Sequence, residues 1–167
     1  MQVIRHIHAS LFVMLSFSSG TALAKPHDLI CANLAAFASA AIAGESHSVV
    51  LRGGWGGDAK GTIMTHDCQH SGYEPGKKLC IYLLPNSSWE FGAHNAGRAL
   101  ACLDSGDTKR FREQLSSFKS SAVITSSLKL LKDKQALITL RFEPPSSKAT
   151  SSVGISTLTI TAARATN

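Results

Sequence analysis

A chain of 167 residues with 17 basic side chains, 11 acidic ones and a formal net charge of +6 is long enough to bury one hydrophobic core and short for two. Its lysines and arginines are scattered apart from Lys109, Arg110 and Arg112, so a nucleic-acid partner, which demands a dense basic face, is not expected, whereas an acidic protein partner suits the charge. Beyond the N-terminal region no run approaches the roughly 20 apolar residues of a transmembrane helix.

Residues 1–24, MQVIRHIHASLFVMLSFSSGTALA, combine Arg5, a short apolar run from Leu11 to Phe17 and the triplet Ala22-Leu23-Ala24. This is the pattern of a secretory signal peptide cleaved after Ala24. The expected product is a single domain, residues 25–167, that is periplasmic or secreted. All four cysteines, Cys31, Cys68, Cys80 and Cys102, fall inside it. An even count in an exported chain reads as disulfides, because nothing in an oxidising compartment keeps the thiols reduced.

The clearest helix is expected over Asp28–Ala43, where Ile30, Leu34, Phe37 and Ala41 recur at helical spacing, Pro26 and Asp28 mark a start and Gly44 a stop. His47–Arg52 reads as a short strand leading into a glycine-rich turn, RGGWGGD, around Trp55. A second strand is expected at Gly61–Thr65. Leu79–Leu84, LCIYLL, is an apolar run of strand type ending at Pro85. Ser87 and Glu90 have the spacing of a capping box for a helix reaching Leu103, with small residues at Gly92, Ala96 and Ala99 suited to packing on the alanine face of the first helix. Asp107 would cap a third helix, with Phe111, Leu115 and Phe118 inward. The remainder is of strand type: SAVITSSLKLL, ALITLRF and ISTLTITAA, the last alternating Leu158, Ile160 and Ala162 with Thr157, Thr159 and Thr161. The expected fold is α+β, with two or three helices on one face of an antiparallel sheet, stabilised by disulfides.

The segment His66-Asp67-Cys68-Gln69-His70 has the H-x-x-x-H spacing of a zinc hydrolase helix. That chemistry requires both histidines on one helical turn and an acid reaching the metal-bound water. Ser71-Gly72 and Pro75-Gly76 leave little room for such a helix, and Asp67 is one methylene shorter than the usual glutamate. The alternative is a Cys68–Cys80 disulfide closing the loop CQHSGYEPGKKLC, with Cys31–Cys102 tying two helices. Paired in this way, Cys68 cannot act as a nucleophile. No C-x-x-C redox motif, nucleophile elbow, phosphate-binding loop or dinucleotide fingerprint is present, and no motif calls for a cofactor. Glu90 and His94, one turn apart, read as a surface hydrogen bond.

The expected function is therefore an exported binding protein without catalytic activity, an inhibitor or immunity protein that occludes the active site of an envelope enzyme or toxin. Its candidate binding residues are Trp55 with Arg52 and Asp58 in the glycine-rich segment, and Tyr73, Glu74 and Lys77 in the disulfide-closed loop. Two other readings stand beside it. One is a hydrolase built on His66, Asp67 and His70, with or without zinc; the other is a structural or ligand-carrying envelope protein with an apolar cavity between helices and sheet.

Overall fold

The computed structural model describes residues 29–58, 61–86, 91–106, 108–117, 120–145 and 154–166. The signal peptide, Pro26 and Asp28, the Ser87/Glu90 box, Asp107 and Phe118 lie outside them. Four helices and five strands follow one another as α1 (Ile30–Ser39), β1 (Ser46–Asp58), β2 (Gly61–Gln69), α2 (Glu74–Leu83), α3 (Phe91–Leu100), α4 (Thr108–Ser117), β3 (Ala122–Ser127), β4 (Ala136–Glu143) and β5 (Ile155–Arg164). The strands form one sheet in the order β2-β1-β5-β4-β3, every neighbouring pair antiparallel. The fold is α+β, as the alternation of the C-terminal strands implies.

One face of the sheet is apolar. Val49 and Leu51, Leu158, Ile160 and Ala162, Ile138, Leu140 and Phe142, and Ala122 and Ile124 are all buried, each two residues from the next on its strand, as a pleat with one covered side requires. The helices cover this side: α3 lies across β1, β5 and β4, α2 over β1 and β2, α4 over β3, and α1 reaches β4 and β5. Phe37, Leu34, Leu79, Leu83, Leu100 and Phe111 fill the space between the layers.

The opposite face carries hydroxyls. Thr125 stands opposite Thr139, Thr139 opposite Thr161, and Thr161 opposite Ser48, a row across four strands closed by hydroxyl hydrogen bonds of 2.8 Å at Thr125–Thr139 and at Ser48–Thr161. Cross-strand hydroxyl pairs of this kind stabilise a sheet face that none of the described helices covers.

Several sequence expectations are corrected. Leu79–Leu84 is not a strand; all but its last residue belongs to α2. Glu74 and Pro75 open that helix, where proline's missing N–H costs nothing, and its buried residues Gly76, Leu79, Cys80 and Leu83 recur at three, one and three, while Ile81 is 62% exposed. The apolar run concealed a period that begins at a glycine. RGGWGGD is not a tight turn either: β1 continues through it to Asp58, paired with β2 throughout and with β5 as far as Gly54. Finally, α1 stops at Ser39 rather than Ala43; with LCIYLL helical, the described residues form four helices on the antiparallel sheet.

Both disulfides have the expected pairing. Cys68–Cys80 spans a Cα–Cα distance of 5.6 Å and links edge strand β2 to α2. Cys31–Cys102 spans 5.3 Å and links α1 to the turn just past α3, so its second cysteine lies beyond the helix rather than on it. The small side of α3 lies on the sheet: a Cβ at Gly92 would come within 2.8 Å of Ser156 Oγ and 3.2 Å of Phe142. Arg98, on the same helix, donates to Asn86 O at 2.8 Å, to the buried Asn95 Oδ1 at 2.7 Å and to Tyr82 Oη at 3.0 Å, joining the end of α2 to α3.

Candidate functional site: a hairpin arm and its stapled base

The β1–β2 hairpin is longer than the sheet that carries it. Pairing between β1 and β5 ends at Gly54 opposite Ile155, whereas pairing with β2 continues through Trp55–Met64, Gly56–Ile63, Gly57–Thr62 and Asp58–Gly61. Four residue pairs thus run on past the β5 register, about 13 Å of two-stranded ribbon at some 3.4 Å per residue. Glycine at position 54 is a packing requirement. A Cβ there would lie 2.2 Å from the backbone oxygen of Gly154, so β1 approaches the start of β5 closely at the point where the arm departs. Beside it, Ser156 Oγ donates to Gly53 O at 3.0 Å, a buried bond at the last shared rung but one.

Trp55 and Asp58 sit on this arm. Arg52 is at its root, exposed on the hydroxyl-rich face, opposite Asp67 of β2 and Thr157 of β5. The other three candidates lie at the far end of the hairpin. Tyr73 is the N-cap residue of α2, and its ring stacks on His47 with centroids 3.7 Å apart and meets Phe37 edge-on at 5.8 Å. From His47 to Trp55 is eight residues of strand, roughly 27 Å. The six candidates therefore form two groups, and only Arg52, Trp55 and Asp58 belong to the arm.

The base group has a different character from the one its sequence implies. Rather than standing at a loop tip, Tyr73 is half-buried, and its hydroxyl is enclosed with no hydrogen-bond partner among the described residues. Burial, and then the nearby Glu45 carboxylate, hold its pKa above the ordinary phenol value. His47 Nε2 lies 3.0 Å from Glu45 Oε2, and the neighbouring His70 keeps an enclosed Nδ1 that likewise has no partner among the described residues. Glu74 and Lys77 are exposed and pair with each other at 3.2 Å. The segment is thus the first turn of a helix laid against β1: a Cβ at Gly76 would come within 3.0 Å of Val49 and 3.2 Å of His70. Sequence reasoning missed the Glu45–His47–His70–Tyr73 corner because its members come from two strand ends and a helix cap. It also missed the hydroxyl row, for which Thr157-x-Thr159-x-Thr161 was the available signal.

The HDCQH segment runs along β2 and ends just beyond it. Extended chain turns His66 and Asp67 to opposite faces and separates His66 from His70 by about 13 Å, against roughly 6 Å for the same spacing on a helix. The converging histidine pair of a zinc hydrolase is therefore not formed here, and Cys68 is in a disulfide. Among the described residues no group of three His, Cys, Asp or Glu side chains is placed to hold one ion. His94 is exposed on α3; Glu90 lies outside the described residues. No helix of the described residues is long and apolar enough to cross a membrane. Comparison with family models, with curated proteins and with solved structures finds no match to this chain.

Proposed function

We propose that this is an exported, non-catalytic binding protein of the bacterial envelope, an inhibitor or immunity protein whose β1–β2 arm enters a cleft of an envelope enzyme or toxin and blocks it. The observation that carries this reading is the arm itself. A ribbon that outruns its sheet, carries Trp55 and Asp58 with Arg52 at its root, and is stapled at its base by Cys68–Cys80 is narrow enough to enter a cleft. Because it is tied down at one end, it loses little conformational entropy on docking. Aromatic and arginine side chains are the usual anchors of such contacts. The chain's net charge of +6 would speed encounter with an acidic enzyme. Two disulfides support the oxidising compartment that the reading needs.

The test compares Trp55→Ala and Asp58→Ala with His94→Ala, a change on the exposed side of α3. The oxidised variants are immobilised, the proteins retained from an envelope fraction are identified, and inhibition of the retained enzyme is titrated. The arm variants are expected to keep the melting temperature while losing at least tenfold in inhibition, with His94→Ala unchanged. Unfolding by Trp55→Ala would make Trp55 part of the core, and undiminished inhibition by both arm variants would remove the arm from the interface.

A further inference from the structure

The opposite edge of the sheet presents a second surface, separate from the arm. Strand β3 is the terminal strand of the sheet, and β4 is the strand it pairs with among the described residues. Its far end is covered: Asp104 N–H donates to Ser127 O at 2.8 Å, and Lys129 N–H donates to Cys102 O at 3.0 Å, around a Leu103–Leu128 bridge. These two bonds reveal which backbone groups face outward. Ser127 and Lys129 direct theirs to the outer edge, so the two-residue alternation of an antiparallel strand directs those of Val123 and Thr125 there too. No described residue partners them.

Edge strands are ordinarily protected from pairing by charge, proline or a bulge. Ala122–Ser127, AVITSS, has neither a charged residue nor a proline, and Val123 is 54% exposed. Beside it runs a groove of about 310 Å³ between β3 and α4, lined by Phe111 and Ile124 at its floor and by Arg110, Gln114, Ser121 and Val123 at its walls. The adjoining helix surface carries Lys109, Arg110 and Arg112; within α4 the only acid is Glu113, 3.9 Å from Lys109.

We infer that β3 accepts a sixth strand, an extended acidic segment of a partner protein with alternating apolar residues, held by the Val123 and Thr125 backbone. Because successive residues of a strand point to opposite faces, its carboxylates enter the groove toward Arg110 and Gln114, and its apolar side chains lie beside the exposed Val123 on the other face. Strand addition of this kind takes its affinity from main-chain hydrogen bonds and its specificity from the alternate side chains. Charge decides between this occupant and a second copy of the chain. A symmetric β3–β3 pairing would bring two Lys109-Arg110-Arg112 clusters together, and like charges across an interface oppose association.

The test uses the oxidised full-length protein and a fluorescein-labelled eight-residue peptide alternating valine and glutamate. Its controls are a valine–lysine peptide and a valine–glutamate peptide N-methylated at every second amide, which removes one edge of donors while leaving the protein untouched. Anisotropy gives affinity, and amide hydrogen exchange gives location. The acidic peptide is expected to bind and to slow exchange at Val123 and Thr125. Arg110→Glu and N-methylation should each weaken binding at least tenfold, with the melting temperature of Arg110→Glu unchanged. Absence of binding, equal binding of the lysine peptide, protection located elsewhere, or concentration-dependent protection of Val123 and Thr125 without peptide, the signature of a second copy, would each overturn the proposal.

Discussion

The two edges of the sheet are secured in different ways. At one edge, β2 is tied covalently to α2 through Cys68–Cys80 and carries exposed His66 and Asp67, polar and charged groups that discourage strand pairing. At the other edge, β3 has no covalent tie and no charge of its own; Ala122 and Ile124, packed under Phe111 and Leu115 of α4, hold it by burial. The difference follows from where the core lies. Four of the nine residues of β2 pair with β1 beyond the β5 register, whereas β3 pairs with β4 along its whole length and buries Ala122 and Ile124. The staple sits at the sheet end of β2, where Cys68 lies opposite buried Leu51, and anchors the base from which the arm extends.

Removing the staples tests this most severely. In the chain-entropy picture, Cys31→Ser with Cys102→Ser opens a link between residues 71 apart and should lower stability by about 4 kcal/mol. Cys68→Ser with Cys80→Ser opens a link spanning 12 and should lower it by about 3 kcal/mol. Denaturant titration gives both values. The sharper readout is hydrogen exchange: loss of Cys68–Cys80 should expose β2 amides before those of β4 and β5. If β3 loses protection first, burial and not the staple is what distinguishes the edges.

Gly54→Ala should rank next. Its Cβ would collide with the Gly154 carbonyl oxygen, an overpacking of about 1–3 kcal/mol. Exchange should rise in Trp55–Asp58 while β3 and β4 stay protected, and a uniform rise would mean that the arm is not an independent unit. Tyr73→Phe should have the smallest effect, and in the opposite direction. It deletes an enclosed hydroxyl without a partner, so stability should hold or rise by about 1 kcal/mol. A loss of more than that would place a bound water or partner group at the hydroxyl.

Patterns fixed by burial were legible in the sequence. The threonine alternation of β5, the Ile30–Leu34–Phe37 spacing of α1 and the Phe111–Leu115 face of α4 all appear where periodicity places them. Both disulfides were legible as well, since sequence-local closure and two helices with small faces left one pairing ahead of the others. Patterns fixed by backbone pairing were not. Glycines favour turns when a segment is considered alone, but between two neighbouring strands the Gly53 and Gly54 backbone is hydrogen-bonded on both sides, and that pairing overrides propensity. LCIYLL misled for a related reason: its helical face starts at Gly76, whose lack of a side chain is what lets α2 lie on Val49. The candidate site was half legible. Composition singled out Trp55 and Tyr73, but the register that separates them by most of a strand is a tertiary property.

The most direct test of the arm as the docking element is site-specific photocrosslinking. A photoreactive amino acid is placed at position 55 and, in a control, at position 94 of the full chain, and the adducts formed in intact producing cells are compared. The account requires a discrete protein adduct from position 55 and none of that mass from position 94. No adduct from position 55, or the same adducts from both positions, would contradict it.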